Sequence, residues 1–364
     1  MLSWKPITTP IAASSATPIT KPPSRKVTSL PERPLAMFAM TAQNVPLIFP
    51  PGLMARLRGL VDVDPALVAH DFTDPRVRAV LAETEILVTG WGCPALDADT
   101  LDAAPKLRAV LHSAGSVKGF TTPAVWERGL LVSSAADANA LPVAEYTLAM
   151  ILLAGKDVFA QRDRLRTERA FPYGQILPGT GNFGRRVGIV GASRVGRRLV
   201  ELLRPFDLEV SLADPYLDEA GAAALGVRLL PLDDLLAGSD IVTVHAPQTP
   251  ETRHMIGRRE LALMPAGSVL INTARGSLVE HDALAAALRA DRIGAILDVT
   301  DPEPLPADSP LYDLPNAFVT PHLAGSQGNE VARLGRTVLE ELERLLSGEE
   351  LACRVDEAGL EHSA

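Results

Sequence analysis

The sequence predicts an α/β protein of two domains, each a doubly wound parallel sheet, with a cleft between them. Three observations carry that expectation. From Pro34 onward, short apolar runs alternate with amphipathic stretches, the pattern of βαβ units whose sheet is covered on both faces. Two such series are separated by one long apolar helix. The chain, at 364 residues, is long enough for two separate cores.

Taken in order, residues 1–33 come first. They are basic, rich in Pro, Ser and Thr and without hydrophobic periodicity, so they are expected to form a disordered extension that cannot bury enough surface to order itself. The runs LAMFAM (35–40), EILVTG (85–90), LRAVLHSAG (107–115) and LLVSSA (130–135) read as buried strands. Between them PGLMARLRGL and TPAVWERG have helical spacing. A long helix is expected over roughly 141–166, with Asn139 as its cap, Pro142 in the first turn and Glu145 near the positive end. The second series then runs through RVGIV (186–190), LEVSLAD (208–214), VRLL (227–230), DIVTVH (240–245), GSVLINTA (267–274), RIGAILDV (292–299) and AFVTPH (317–322), all read as central strands. Ligands of such sheets bind beyond the carboxyl ends of the strands, so the residues there are the candidates for function.

Composition narrows the class. A hydrophobic fraction of 47% with 22% charged residues describes a globular chain, and a net charge of −9 argues against a nucleic-acid partner, which needs a basic face. No apolar run reaches the roughly 18 residues of a membrane span; the longest, 148–154, is flanked by Glu145 and Lys156. The only two cysteines, Cys93 and Cys353, lack metal-ligand spacing. No metal site is expected, and a reduced, cytoplasmic compartment is the economical reading.

The stretch VGIVGASRVG (187–196) admits two chemistries. As G-x-S-x-G it would be an elbow presenting Ser193 as a nucleophile, but that turn needs glycine two residues after the serine, and Val195 stands there. As G-x-G-x-x-G with one glycine replaced, it has Gly191 and Gly196 in place, a strand before, a helix after, and Asp214 ending the next strand. Asp214 lies 23 residues beyond Gly191, near the roughly 20 expected for the acid that grips the adenine ribose. The pyrophosphate would then rest on the backbone N–H groups of Arg194 and Val195 at the positive helix end. With no arginine beside it, Asp214 favours NAD over NADP. Ser193 is left as a turn residue that either crowds the pyrophosphate or hydrogen-bonds it.

Three later strand ends carry reactive groups: Arg275 in INTARG, Glu303 in DVTDPEP and His322 in TPHLAG. With ADANALPVAEYTLAMILL, VGIVGASRVG, LADP, VHAPQTPETRHMIG, LINTARGSLVE and LDVTDPEPLP they make the chain, from about 35 to about 346, resemble the D-isomer-specific 2-hydroxyacid dehydrogenases. The resemblance implies a Rossmann NAD-binding domain at 142–322 inserted in a flavodoxin-like substrate domain at 34–141 and 323–364. It implies hydride transfer between NAD(H) and a D-2-hydroxy acid/2-oxo acid pair. Arg275 would hold the substrate carboxylate in its planar charged fork. His322 would be the acid/base, since histidine's ordinary pKa of about 6.5 lies near working pH. Glu303 would bond its second nitrogen and favour the protonated ring. The family pattern further places His245, Pro247, Thr252, Thr273, Ala274, Asp298 and Gly325 along the cofactor, with Asp298 accepting from the nicotinamide carboxamide. It also implies a homodimer to which the segment 159–183 contributes.

The chain departs from that pattern in its substrate loop, usually similar to G-V-G-V-D-N-I-D and here AGSVKGFT (114–121). Backbone N–H groups at Gly115 and Ser116 could still hold a carboxylate, but Lys118-Gly119 replaces the Asp-Asn pair. Lys118 either recognises a second anionic group on the substrate, or points to solvent or pairs with an acid. Trp91, in Gly90-Trp91-Gly92-Cys93-Pro94, either closes over the substrate or caps the core edge. The rival reading from another class is an NAD-sensing corepressor-like binding protein of the same fold.

Overall fold

The computed structural model describes residues 33–170, 173–174 and 176–360. The expected disordered extension therefore lies outside the described residues, Arg33 apart. One sheet contains β1 (Ala36–Ala39), β2 (Val68–Ala69), β3 (Ile86–Thr89), β4 (Ala109–His112) and β5 (Leu131–Ser134). The other contains β6 (Arg185–Val190), β7 (Leu208–Ala213), β8 (Arg228–Leu229), β9 (Ile241–Val244), β10 (Ser268–Asn272), β11 (Ile293–Leu297) and β12 (Ala317–Val319). A last strand, β13 (Arg354–Val355), returns to the first sheet. The strand orders are β13-β5-β4-β3-β1-β2 and β12-β11-β10-β9-β6-β7-β8. All pairings are parallel except β13 on β5. The two-domain α/β expectation is met, with one antiparallel edge added.

Both sheets are apolar on both faces because helices cover both. Along β1, Phe38 packs towards the helix Val331–Leu346 through Leu334, Val338 and Leu342, whereas Met37 and Ala39 face the opposite cluster around Leu87 and Val110. In the second sheet Ile189, Ile271 and Ile296 meet Ala144 and Ile151 of the helix Ala136–Gly155. That helix has the length and apolar composition of a membrane span, contrary to the reading from apolar runs alone. Here it is packed against the helices Arg194–Leu203 and Val331–Leu346.

Several local expectations are corrected. The long helix begins at Ala136, not near 141, and stops at Gly155; a left-handed Asp157 (φ 54°) separates it from a second helix, Val158–Glu168. Alanines at 136, 138 and 140 are strong helix formers and carry the first turns forward. Pro142 is thus inside the helix rather than in its first turn, and Asn139 does not cap it. The Asn139 Oδ1 instead accepts the backbone N–H of Ser326 at 3.0 Å. VRLL and AFVTPH supply the two edges of their sheet, not central strands. Short edge strands limit unwanted pairing, and Phe318 of β12 stacks on Phe159 with ring centroids 4.2 Å apart.

What positions the site is register. Val190, Val244, Asn272, Leu297 and Val319 lie side by side across β6, β9, β10, β11 and β12. The next residues, Gly191, His245, Thr273, Asp298 and Thr320, therefore emerge along one edge. On the other sheet Thr89 pairs with His112 at the equivalent edge.

Gly335 tests the packing of the first sheet. A Cβ there would overlap the carbonyl oxygen of Ile48, so the close approach of helix Val331–Leu346 needs glycine. Gly335→Ala is expected to cost about 1–3 kcal/mol through overpacking, read as a lower midpoint in urea denaturation; an unchanged midpoint would show that the helix moves aside freely.

Candidate active site

The nucleotide side is built on the turn after β6. Gly191 has φ +102°, and a Cβ on it would lie 2.7 Å from the amide nitrogen of Ala246 and 2.8 Å from the carbonyl carbon of His245. Only glycine fits there, because the end of β9 crosses it. A Cβ on Gly196 would overlap the carbonyl oxygen of Gly191, so the helix Arg194–Leu203 lies directly on the turn. Ser193 is that helix's N-cap, its Oγ accepting the Gly196 N–H at 3.3 Å. Its hydroxyl is thus directed to the helix itself. The Asp214 carboxylate accepts the N–H of Ala192 at 2.6 Å and of Tyr216 at 2.8 Å, bracing the turn from β7.

Beside this turn runs a cleft of about 560 Å³ whose walls include Gly191, Asp214, Tyr216, Pro247, Thr252 and Lys118. Thr252 Oγ1 donates to the Pro247 carbonyl at 2.7 Å and shapes that wall. Arg194 is ion-paired to Asp137 at 2.5 Å, so its side chain is turned to the helix Ala136–Gly155. His245 is buried, with Nε2 2.9 Å from Thr243 Oγ1 and Nδ1 without a protein partner. Burial pushes its pKa down to about 3 and keeps it neutral. Thr273 is buried with Oγ1 3.0 Å from Thr147 Oγ1, and the buried Ala274 takes the Arg275 Nη1 hydrogen bond on its carbonyl at 2.7 Å.

The residues expected to react come together further along the same edge. His322 Nδ1 lies 2.8 Å from Glu303 Oε1. Arg275 is half-buried; burial lowers its pKa, while Glu303 nearby opposes that shift. The two loops meet backbone to backbone: a Cβ on Gly276 would overlap the Thr300 carbonyl. His322 has a left-handed φ of 51°. Asp298 holds it there, accepting Leu323 N at 2.9 Å and Ala324 N at 2.8 Å, with a third bond from Thr320 Oγ1 at 2.6 Å. Tyr146 OH, 2.8 Å from Thr320 Oγ1, ties that clasp to the helix Ala136–Gly155. Gly325 follows it, against Asn139.

The first sheet contributes a loop, 113–121, that enters a second cavity of about 450 Å³ with Ser116, Lys118, Arg253, Arg275 and Ser277 on its walls. Gly115 lies behind Ser116, close to the Asn139 side chain. Trp91 lines neither cavity; it is 41% exposed, and its carbonyl accepts the Thr41 N–H at 2.8 Å. Cys93 and Cys353 are unpaired, and burial raises the Cys93 thiol to about 12. No group of metal-ligating side chains occurs among the described residues.

Two residues lining the second cavity, and His112 beside its loop, escaped sequence reasoning. Arg253 and Ser277 stand inside VHAPQTPETRHMIG and LINTARGSLVE, but those motifs gave them no part, and the fold brings them to the cavity. His112 was detectable, since it ends a strand just before the divergent loop. Its Nδ1 is 2.9 Å from Thr89 Oγ1, its ring also hydrogen-bonds the backbone of Ser116, and it packs on Phe120 with centroids 4.8 Å apart.

Residues 148–324 match the model of the D-isomer specific 2-hydroxyacid dehydrogenase NAD-binding domain. A glyoxylate reductase of Korarchaeum cryptofilum is 33% identical over 258 residues, 70% of this chain and 77% of that one. A D-3-phosphoglycerate dehydrogenase of Mycobacterium bovis is 39% identical over 255 residues, 70% of this chain and 48% of that one. The chain thus spans about half the length of that relative. The crystal structure of a phosphoglycerate oxidoreductase from Rhizobium etli superposes with a TM-score of 0.76 at 26% identity, covering 89% of this chain and 99% of that one.

The buried histidines set a pH dependence. Burial lowers His112 from 6.5 to about 4. The unfolded chain then binds the proton first as pH falls, so stability is complete above about 6.5 and is lost towards pH 4, with His245 acting in the same sense. Each contributes at most about 1.4 kcal/mol per pH unit. Denaturation midpoints at pH 7 and pH 5 should converge in His112→Gln relative to wild type; an equal acid loss in both proteins would exclude His112 as a source.

Proposed function

The chain belongs to the D-isomer-specific 2-hydroxyacid dehydrogenase family, and on that premise we propose that it interconverts a D-2-hydroxy acid and its 2-oxo partner using NAD(H). The observation that carries the reading is the Glu303–His322 hydrogen bond of 2.8 Å beside half-buried Arg275, at the edge where the nucleotide turn also ends. The nucleotide site fits the cofactor on three counts: a tight glycine turn that lays the helix start directly on the strand end, first-turn N–H groups at Arg194 and Val195, and an acid at Asp214. The Asp214 carboxylate would repel a 2′-phosphate, which supports NAD over NADP. The buried, unpartnered Nδ1 of His245 supports a polar ligand at that wall.

NAD(H), when bound, supplies or accepts the hydride at the substrate's second carbon. Arg275 anchors the adjoining carboxylate with its guanidinium fork, assisted by the N–H groups of Gly115 and Ser116. Glu303 occupies His322 Nδ1, which leaves Nε2 as the nitrogen that exchanges the proton. In reduction Nε2 gives its proton to the carbonyl oxygen, which becomes the hydroxyl; in oxidation it takes that proton back. Asp298 and Tyr146 act through position, keeping the His322 loop in its left-handed turn. Exposed Tyr173, Ile176 and Phe183 support a homodimer formed through the 159–183 segment, of which 171, 172 and 175 lie outside the described residues. Two unpaired cysteines support a cytoplasmic enzyme.

The test is NADH oxidation with a panel of 2-oxo acids. His322→Gln is expected to lower kcat by about 10²–10⁴-fold, with NADH binding retained. Failure of every 2-oxo acid, or full activity in His322→Gln, would overturn the reading, and NADH binding without turnover would favour the sensor. Separately, Ser193→Gly should leave NADH affinity within about threefold, as expected for a cap exchanged for glycine at a few tenths of a kcal/mol. A larger change by fluorescence titration would show that the hydroxyl touches the phosphates.

A further inference from the structure

We propose that Lys118, Arg253 and Ser277 form a second anion subsite beside Arg275, so that the preferred 2-oxo acid carries another negative group, a phosphate or a carboxylate, at its far end. This rests on the reading of the site as a 2-hydroxyacid dehydrogenase and names the substrate class it takes.

The cavity of about 450 Å³ presents three cations and two serines, and no acidic residue lines it. Arg275 and Ser277 reach it from the protein side; Lys118 and Arg253 sit on exposed segments and reach it from the solvent side. The site therefore has an inner cation for the carboxylate next to the reacting carbon and an outer pair for a distal group. Ser277 adds a second observation. It is 6% exposed, and its Oγ has no hydrogen-bond partner in the protein. A buried hydroxyl without a partner is costly unless a ligand satisfies it.

Burial, and then the positive charge of Arg275, lower the pKa of Lys118. A second anionic group on the substrate would favour the charged ammonium and form charge-assisted hydrogen bonds at the outer end of the cavity. Arg253 is oriented by Asp301 at 3.2 Å, two residues from Glu303, so the outer cation is held by the same loop as the partner of His322. The nucleotide phosphates do not account for the cluster, because Gly191 and Asp214 line the neighbouring cleft and not this cavity. Lys118 borders both.

The experiment compares kcat/KM for two monoanions, pyruvate and hydroxypyruvate, with two acids that carry a second anionic group, 3-phosphohydroxypyruvate and 2-oxoglutarate. We expect at least a tenfold preference for an acid with the second group, and whichever of the two is preferred identifies that group. Lys118→Ala and Arg253→Ala should lower the ratio of the two classes about tenfold through KM, while Lys118→Arg and Arg253→Lys retain most of it. A ratio near one in the wild type, or a ratio untouched by both alanine variants, would overturn the subsite. Calorimetric titration with 2-phosphoglycolate against glycolate separates this from failure of the reaction itself. Tighter binding of 2-phosphoglycolate that is lost in Lys118→Glu supports the subsite even if no 2-oxo acid turns over. Equal binding of the two probes counts against it.

Discussion

Five parallel strands of one sheet stop at a common level, and the site depends on that register. Val190, Val244, Asn272, Leu297 and Val319 form a single row, so the chain leaves the sheet five times along one edge. A slip of one residue in any strand would turn its side chains to the other face and move its loop out of line. The row is locked by contacts too close for side chains. Gly191 lies under His245 and Ala246, and Gly276 lies against Thr300. Backbone on backbone leaves little freedom, which is how Arg275 and Glu303, on separate loops, keep a fixed relation without touching a shared side chain.

The two walls of the cleft solve different electrostatic problems. The nucleotide wall relies on backbone N–H groups and one carboxylate, and it keeps Arg194 away by pairing it with Asp137. The proposed substrate wall concentrates cations: Arg275 half-buried, Lys118 and Arg253 at the mouth. Between them stands the Glu303–His322 pair, about half exposed, where proton exchange with water remains open. Asp298 accepts three protein hydrogen bonds, from Thr320 Oγ1, Leu323 N and Ala324 N, so its charge helps to fix the loop geometry.

Much of this was legible in the sequence where local pattern and tertiary role coincide. The strands of both sheets appear as apolar runs because helices cover both faces, and Gly191, Gly196 and Asp214 appear because their spacing follows from strand, turn and helix. The failures have a common origin in residues whose role is set from far away. Asn139 has the composition of a cap, but its amide is taken by Ser326, 187 residues on. β2 and β13, two residues each, are too short to show a period. Arg253 and Ser277 sit inside motifs whose pattern gives them no part of their own, and the loop carrying Lys118 reaches them from the other sheet.

The discontinuity of the first sheet has a consequence for how the chain is made. The core around Phe38, Ile48 and Phe49 is closed by Val331, Leu334, Val338 and Leu342, nearly three hundred residues later, and its edge by β13. A ribosome releases the amino-terminal half of that core first and its remaining wall last. The inserted sheet, whose strands are all contiguous in sequence, is complete before then. Synthesis therefore passes through a stage in which the second sheet can be folded while the first still exposes an unpacked apolar face. That interval is when the nascent protein most needs shielding from aggregation.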